Sequence, residues 1–191
     1  MVAGLDASRA SLTAVTVLGI ATFLVLGPVI SKRDLDGATS WGIILAAGAI
    51  GGILGGAVAL RLRPNRPLVG AFAGWSLSAL PALALLPPLP TAAIAVAYGV
   101  FQAGIAFGNN QFDTVLQREI PSHLLSRVDS FVWLVALGLS PVGQALAGPA
   151  SEAFGTDAVL VTAAVLVVVS CAVGIAAPSV RAITRATPAP A

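Results

Sequence analysis

The chain has 191 residues, of which 57% are hydrophobic and 9% charged. A soluble domain carries about 25% charged residues, so this sequence lacks the polar material to cover a globule in water, and a soluble enzyme or binding module is not its expected class. Ten basic and eight acidic residues leave a net charge of +2, but their bunching is more informative than their balance.

Five windows hold no charged residue: 10–31, 37–60, 67–112, 130–151 and 158–180. A helix crossing the roughly 30 Å apolar core of a bilayer needs about 20 apolar residues, so four windows are one span long and the third is two. Pro87-Pro88-Leu89-Pro90 stands at the centre of that third window. Prolines lack a donor N–H and restrict the residue before them, so the window divides into 67–86 and 91–112. The expected fold class is an all-α membrane protein of six transmembrane helices in one domain. A connection at 113–129 and a tail at 181–191 complete it. A closed barrel would need polarity alternating every second residue, and the run from Val159 to Val169 shows none.

With six spans, one side holds Arg9, Arg61, Arg63, Arg66, Arg118, Arg127, Arg181 and Arg185. The other holds Lys32 and Arg33, offset by Asp34, Asp36, Glu152 and Asp157. The positive-inside rule then puts both termini in the cytoplasm of a multi-pass protein of the cell membrane. The first span leads into Lys32-Arg33 rather than a small-residue cleavage site, so it is expected to be retained.

The second span carries Gly48, Gly52 and Gly56 at four-residue spacing, with Gly51 and Gly55 on a neighbouring line. Small residues so spaced let helix backbones approach closely, which predicts an interior helix. Trp41 at its outer end reads as an interfacial anchor, and Trp75 in the third span more loosely so. The third and sixth spans have few polar groups beyond Ser and Thr and are expected to face lipid.

In the fourth span Tyr98, Gln102, Asn109 and Asp113 fall within about 60° at 100° per residue, forming one polar stripe. Such a stripe is costly against lipid, so it either lines a cavity or bonds to other helices. Gly104 and Gly108 add close packing on the same helix. Gln144 in the fifth span, near Pro141 and Pro149, is a second polar candidate, and the prolines there suggest a kink. The charge-free windows contain no Asp, Glu, Lys, Arg or His, and the only histidine, His123, falls in a connection. That argues against intramembrane catalysis, and no metal, cofactor or nucleic acid is expected. Cys171 has no disulfide partner and reads as a small buried apolar residue.

The segment Gly55-Gly56-Ala57-Val58-Ala59-Leu60-Arg61-Leu62-Arg63-Pro64-Asn65-Arg66-Pro67 resembles the glycine-and-arginine loop of the major facilitator superfamily. Leu60 stands where that family usually has Asp. Leu116-Gln117-Arg118-Glu119-Ile120-Pro121, followed by Arg127-Val128, looks like the connection before the eleventh helix of its exporters. Pro141-Val142-Gly143, Gly148 and Gly155 resemble the eleventh helix and its outer turn. Trp41-Gly42 and the glycine stripe resemble the eighth.

The resemblance, nearest to the siderophore- and drug-exporter branch, implies one lobe built of two three-helix inverted repeats, matching helices seven to twelve of a proton-driven exporter. It implies a small amphipathic substrate near Tyr98, Gln102, Asn109 and Gln144. Arg61, Arg63 and Arg66 would form a cytoplasmic latch turn, and Asp113, Arg118 and Arg127 would lie about the later connection. The implied partners are the lipid bilayer, the substrate, and a second lobe that is either an N-terminal half or another copy. The alternative is a truncated or non-transporting lobe that acts by associating with another chain.

Overall fold

The computed structural model describes residues 20–86, 89–119 and 122–184, and among these there is no strand. Arg9, Arg185 and the first half of the first expected span lie outside the described residues, as do Pro87, Pro88 and the side chain of Arg127. Helices α1 (Ala21–Asp34) and α2 (Ala38–Arg61) are joined by a turn in which Gly37 has φ +63°. A residue with a Cβ is strained there, so glycine suits the reversal. The Asp36 amide donates to Ser40 Oγ at 3.3 Å and ties the turn to α2.

Pro67 opens α3 (Pro67–Ser76), at a position where its missing N–H costs nothing. A non-helical step at 77–78 follows before α4 (Ala79–Ala84). Pro81 accounts for the step, since it has no N–H for the Leu77 carbonyl and its ring clashes there. The Leu80 amide donates to the Leu77 carbonyl at 3.0 Å instead, and Ser78 Oγ donates to the Trp75 carbonyl at 2.6 Å. The Pro-rich segment then separates α4 from α5 (Thr91–Glu119), as the sequence predicts. Helix α6 (Ser122–Phe154) runs through Pro141 and Pro149 as one continuous element. The stretch 113–129, expected as a connection, is therefore helical on both sides of residues 120–121. Gly155, at φ +86°, turns the chain into α7 (Thr156–Ala176), and α8 (Pro178–Ala182) ends the described chain.

Among the described residues, four segments are long and apolar enough to cross a membrane: α2, α3 with α4, α5 and α7. The helices form a circuit in which α2 packs on α5, α5 on α3 and α4, and these on α7. Helix α7 meets α6, α6 meets α1, and α1 returns to α2.

The pairing of α2 with α5 has a definite direction. Ser40 Oγ lies 2.9 Å from Thr91 Oγ1 at one end, and Gln111 Nε2 donates to the Leu62 carbonyl at 3.3 Å at the other. Gly51 meets Gly99 and Gly55 meets Ala103 between them, so the two helices run parallel. Helix α3 pairs with α5 antiparallel, Gly74 against Gly104 and Ala71 against Gly108. The α3–α4 segment therefore carries the chain back across the bundle, as one broken span should.

Two apolar clusters sit at opposite ends of this bundle. One joins Phe23, Ile44, Ala82, Ile94, Phe101 and Leu160, and the other joins Leu68, Phe72, Trp75, Phe112, Val167 and Val180. Ile105 of α5 touches both.

The third span, expected to face lipid, is instead the best buried of the four, with Leu68, Ala71, Phe72, Trp75 and Ala82 fully enclosed. It is enclosed because both α5 and α7 pack on it. The second span, expected to be interior, buries one narrow face and exposes Ile43, Ile50, Ile53, Leu54 and Val58. Its small residues admit α5 on one side only.

Candidate functional site

The polar stripe of α5 points into the bundle between α2 and α3, but its members meet different neighbours. Tyr98 is buried and stacks on Phe23 of α1, with ring centroids 4.6 Å apart and planes 15° from parallel. Its ring fills the space beside Gly48, where any Cβ would collide with it. Gln102, one turn on, is half-buried and makes no hydrogen bond among the described residues. Asn109 accepts a hydrogen bond at 3.0 Å from Trp75 Nε1. Asp113 is half-buried and engaged by a neighbour. The stripe thus divides into an aromatic-lined part at Tyr98, an open amide at Gln102, and a bonded part from Asn109 onward.

Trp75 is fully buried, with Phe72 edge-on at 5.4 Å and Phe112 at 5.7 Å. It is a core residue and not an interfacial anchor, because α3 is covered on both sides. Trp41 lies half-buried against Gly27 and 5.2 Å from the Phe23 ring, so it locks α1 to α2.

Gln144 lies on an exposed part of α6 and donates to Ser140 Oγ at 3.3 Å, one turn back. Helix α6 touches α5 only slightly, so Gln144 and the stripe stay on separate helices. The glycines sort by their surroundings. Gly48, Gly51 and Gly55 of α2, and Gly104 and Gly108 of α5, lie against neighbouring helices. Gly52 and Gly56 have nothing within 4 Å of where a Cβ would stand. The close-approach line of α2 therefore runs 48, 51, 55, while 52 and 56 form part of its open face.

Charge is segregated along the bundle. Arg61, Arg63, Arg66, Arg118 and Arg181 are all exposed at the end where α2 and α5 finish. At the other end stand Lys32 and Arg33 with Asp34, Asp36, Glu152 and Asp157. Arg33 pairs with Asp34 at 2.8 Å. The hydrogen bond and charge of Asp34 raise the guanidinium pKa, and Asp157 adds a smaller push in the same direction.

Sequence comparison gives this site a context. The chain is 32% identical over 145 residues to the multidrug efflux pump Tap of Mycobacterium tuberculosis and of Mycobacterium bovis. The match covers 74% of the chain and 33% of the pump. The Tap pump of Mycolicibacterium fortuitum is 28% identical over 159 residues, 81% of the chain and 38% of that pump.

The chain is similar to multidrug efflux pumps.

It spans about a third of the length of the curated relatives that it matches. No family model matches it, and no solved structure gives a significant match. Relatives of this kind and four apolar segments of spanning length make the chain a multi-pass membrane protein.

Three residues of the arrangement escape a reading of polar stripes. Gln111, on α5 but off the stripe, is buried and holds the turn after α2 through the Leu62 carbonyl. Trp75 supplies the partner for Asn109. Val180 of α8 is fully buried, and Arg181 Nε donates to the Ile175 carbonyl at 2.7 Å, so the residues after α7 fold back onto the bundle. Pro178 opening a new helical turn two residues after α7 was the available signal.

Proposed function

We propose that the chain is one six-helix lobe of a major-facilitator-type exporter of small amphipathic compounds, nearest to the drug and siderophore branch. The observation that carries this reading is the 32% identity to a multidrug efflux pump, sustained over 145 residues. In this reading the lobe corresponds to the C-terminal half, and it rocks against a second lobe around a site near the bilayer midplane. Gln102 is the leading substrate contact, because its half-buried amide bonds to no described residue while Asn109 is held by Trp75. Tyr98 contributes an aromatic wall, and Gln144, exposed on α6, is a second contact that the substrate meets away from the stripe. The open face of α2, with Gly52 and Gly56 among exposed Ile and Leu side chains, is where the second lobe packs. Arg61, Arg63 and Arg66 form the latch turn on the cytoplasmic face of the cell membrane, by the positive-inside rule. Proton coupling falls to the second lobe, since the charge-free window that holds Gln102 contains no Asp, Glu, Lys, Arg or His.

Dye efflux tests the proposal in cells that express the chain with a partner lobe from a related pump. Gln102→Ala and Gln144→Ala are expected to change which dyes are exported without lowering the amount of protein in the membrane. An unchanged dye profile in both variants removes these residues from the site. A second reading, a lobe that transports nothing and acts by association, draws on that same lack of charged groups in the windows. Efflux that never exceeds the background of the partner lobe, together with co-purification of the two chains, favours it.

A further inference from the structure

A cavity of about 350 Å³ lies between α1, α6 and α7, away from the polar stripe. Its wall includes Thr22, Ala150, Phe154, Ala158, Thr162 and Leu166. Ala150 and Ala158 face it from the two sides of the turn at Gly155, and neither side chain is long enough to fill it. Phe154 has 76% of its surface exposed. Ala158, Thr162 and Leu166, which share one face of α7 at four-residue spacing, are exposed as well. The cavity is therefore a slot that opens sideways and continues into the outer surface of a bundle that lies in a membrane.

The slot has the depth of one leaflet. Helix α7 is 21 residues long, about 31 Å at 1.5 Å per residue, which matches the roughly 30 Å apolar core of a bilayer. Leu166 is its middle residue, so a slot that starts at Phe154, beside the turn, and ends at Leu166 reaches from the membrane surface to the midplane. Thr22 agrees with this depth, since it stands about 18 Å back from Asp34 at the end of α1. Among the described residues, the two threonine hydroxyls, one on α1 and one on α7, are the only polar side chains of the wall. A water needs about two to four polar partners, so water is poorly held there. Left empty, the slot forfeits the van der Waals contacts of its walls.

We infer that the slot holds one acyl chain of a phospholipid from the leaflet at the end of the bundle opposite the arginine turn, with its ester end level with Phe154 and its methyl end level with Leu166. Continuity decides the occupant, because hydrocarbon is what meets the open side at this depth and the slot runs in the direction in which lipid chains lie. A tail gains no hydrophobic advantage over its place in bulk lipid, so packing against α1, α6 and α7 is what retains it. The inference needs only that the helices lie in a membrane, and it does not depend on transport or on Gln102.

The test is photolabelling of the full chain in phosphatidylcholine nanodiscs doped with phosphatidylcholine that carries a diazirine at the methyl end or at the middle of one acyl chain, the adducts being mapped by mass spectrometry. Val161 and Val165 are the references, because both are exposed on α7 and each is one residue from a wall residue in depth but about 100° round the helix from it. The methyl-end probe is expected to label Leu166 several-fold more than Val165, and the mid-chain probe to label Thr162 several-fold more than Val161. Thr162→Trp, which fills the slot, is expected to abolish the excess at Leu166, and Val161→Trp, outside the slot, to leave it unchanged. Ala158→Phe serves as a second block if the first variant does not fold, folding being read from protection of Cys171 against maleimide. Equal labelling of wall residues and references, the mark of ordinary boundary lipid, overturns the inference. So does an excess at Leu166 that persists in a folded blocked variant or that Val161→Trp also removes. A mid-chain probe that labels deeper than the methyl-end probe overturns it too, since the chain would then enter from the other leaflet.

Discussion

Trp75 and Asn109 join α3 to α5 through a single 3.0 Å hydrogen bond, made by an indole that has no exposed surface. The bond explains why a polar residue on α5 sits comfortably within the bundle. It also removes Asn109 from the groups free to meet a ligand.

Breaking that bond leaves the Trp75 N–H buried and unpaired. Asn109→Leu is expected to cost about 1 kcal/mol, near the lower end for an orphaned buried donor and above the average for membrane hydrogen bonds of about 0.6 kcal/mol. Trp75→Phe removes the donor, so the double variant Trp75→Phe, Asn109→Leu is expected to be more stable than the two single losses would add up to. Unfolding by denaturing detergent measures all three. Additive losses would show that the bond contributes nothing.

The glycines of α2 give a position-by-position contrast. At Gly51 and Gly55 a Cβ would strike the backbone carbonyls of Gly99 and Ala103, which cannot rotate aside. Gly51→Ala and Gly55→Ala are expected to force α2 from α5 at about 1 to 3 kcal/mol each, the usual cost of overpacking. Gly52→Ala and Gly56→Ala, facing open space, are expected to keep stability within about 0.5 kcal/mol of the parent. The same detergent unfolding separates the two pairs, and equal losses at all four positions would mean that α5 packs elsewhere.

Four segments of spanning length were legible in the charge-free windows because a bilayer penalises charge over a fixed thickness, and the break before Thr91 was legible because proline acts locally. Which face of each span is buried was not. Four-residue spacing on α2 gives two adjacent glycine lines, and the choice of 48, 51, 55 over 48, 52, 56 follows from the register with Gly99 and Ala103. The burial of Trp75 likewise depends on α5 and α7 arriving on both sides of α3, and an apolar helix carries no record of that. The stripe from Tyr98 to Asp113 was visible by angle, but its division at Asn109 needed the indole from another helix.

Cys171 gives a direct readout of the intact bundle. It lies in the cluster with Phe72, Trp75 and Val167 and has 1% of its surface exposed. As the only cysteine of the chain, it reports without background. A maleimide is expected to label it at least about tenfold more slowly in the folded protein than after unfolding in detergent, because reaction requires local opening. Phe72→Ala removes a ring beside Gly174 and is expected to raise the labelling rate of the folded chain. Equal rates before and after unfolding would place Cys171 at the surface.

Gln111 fixes the arginine turn from a distance of about fifty residues along the chain, its Nε2 donating to the Leu62 carbonyl at 3.3 Å. Arg63 and Arg66 each precede a proline, so of the three turn arginines only Arg61 offers trypsin a readily cleaved bond, that to Leu62. Cleavage there requires the backbone to leave its helical end. Gln111→Leu frees the Leu62 carbonyl and is expected to speed trypsin cutting at this bond several-fold, whereas Gln117→Leu, at an exposed position, is expected to leave it unchanged. In sealed inverted membrane vesicles the cut is expected to proceed, and in right-side-out vesicles it is expected to fail, as a cytoplasmic turn requires. Cutting in right-side-out vesicles alone would reverse the orientation, and equal rates in both glutamine variants would show that the hydrogen bond does not hold the turn.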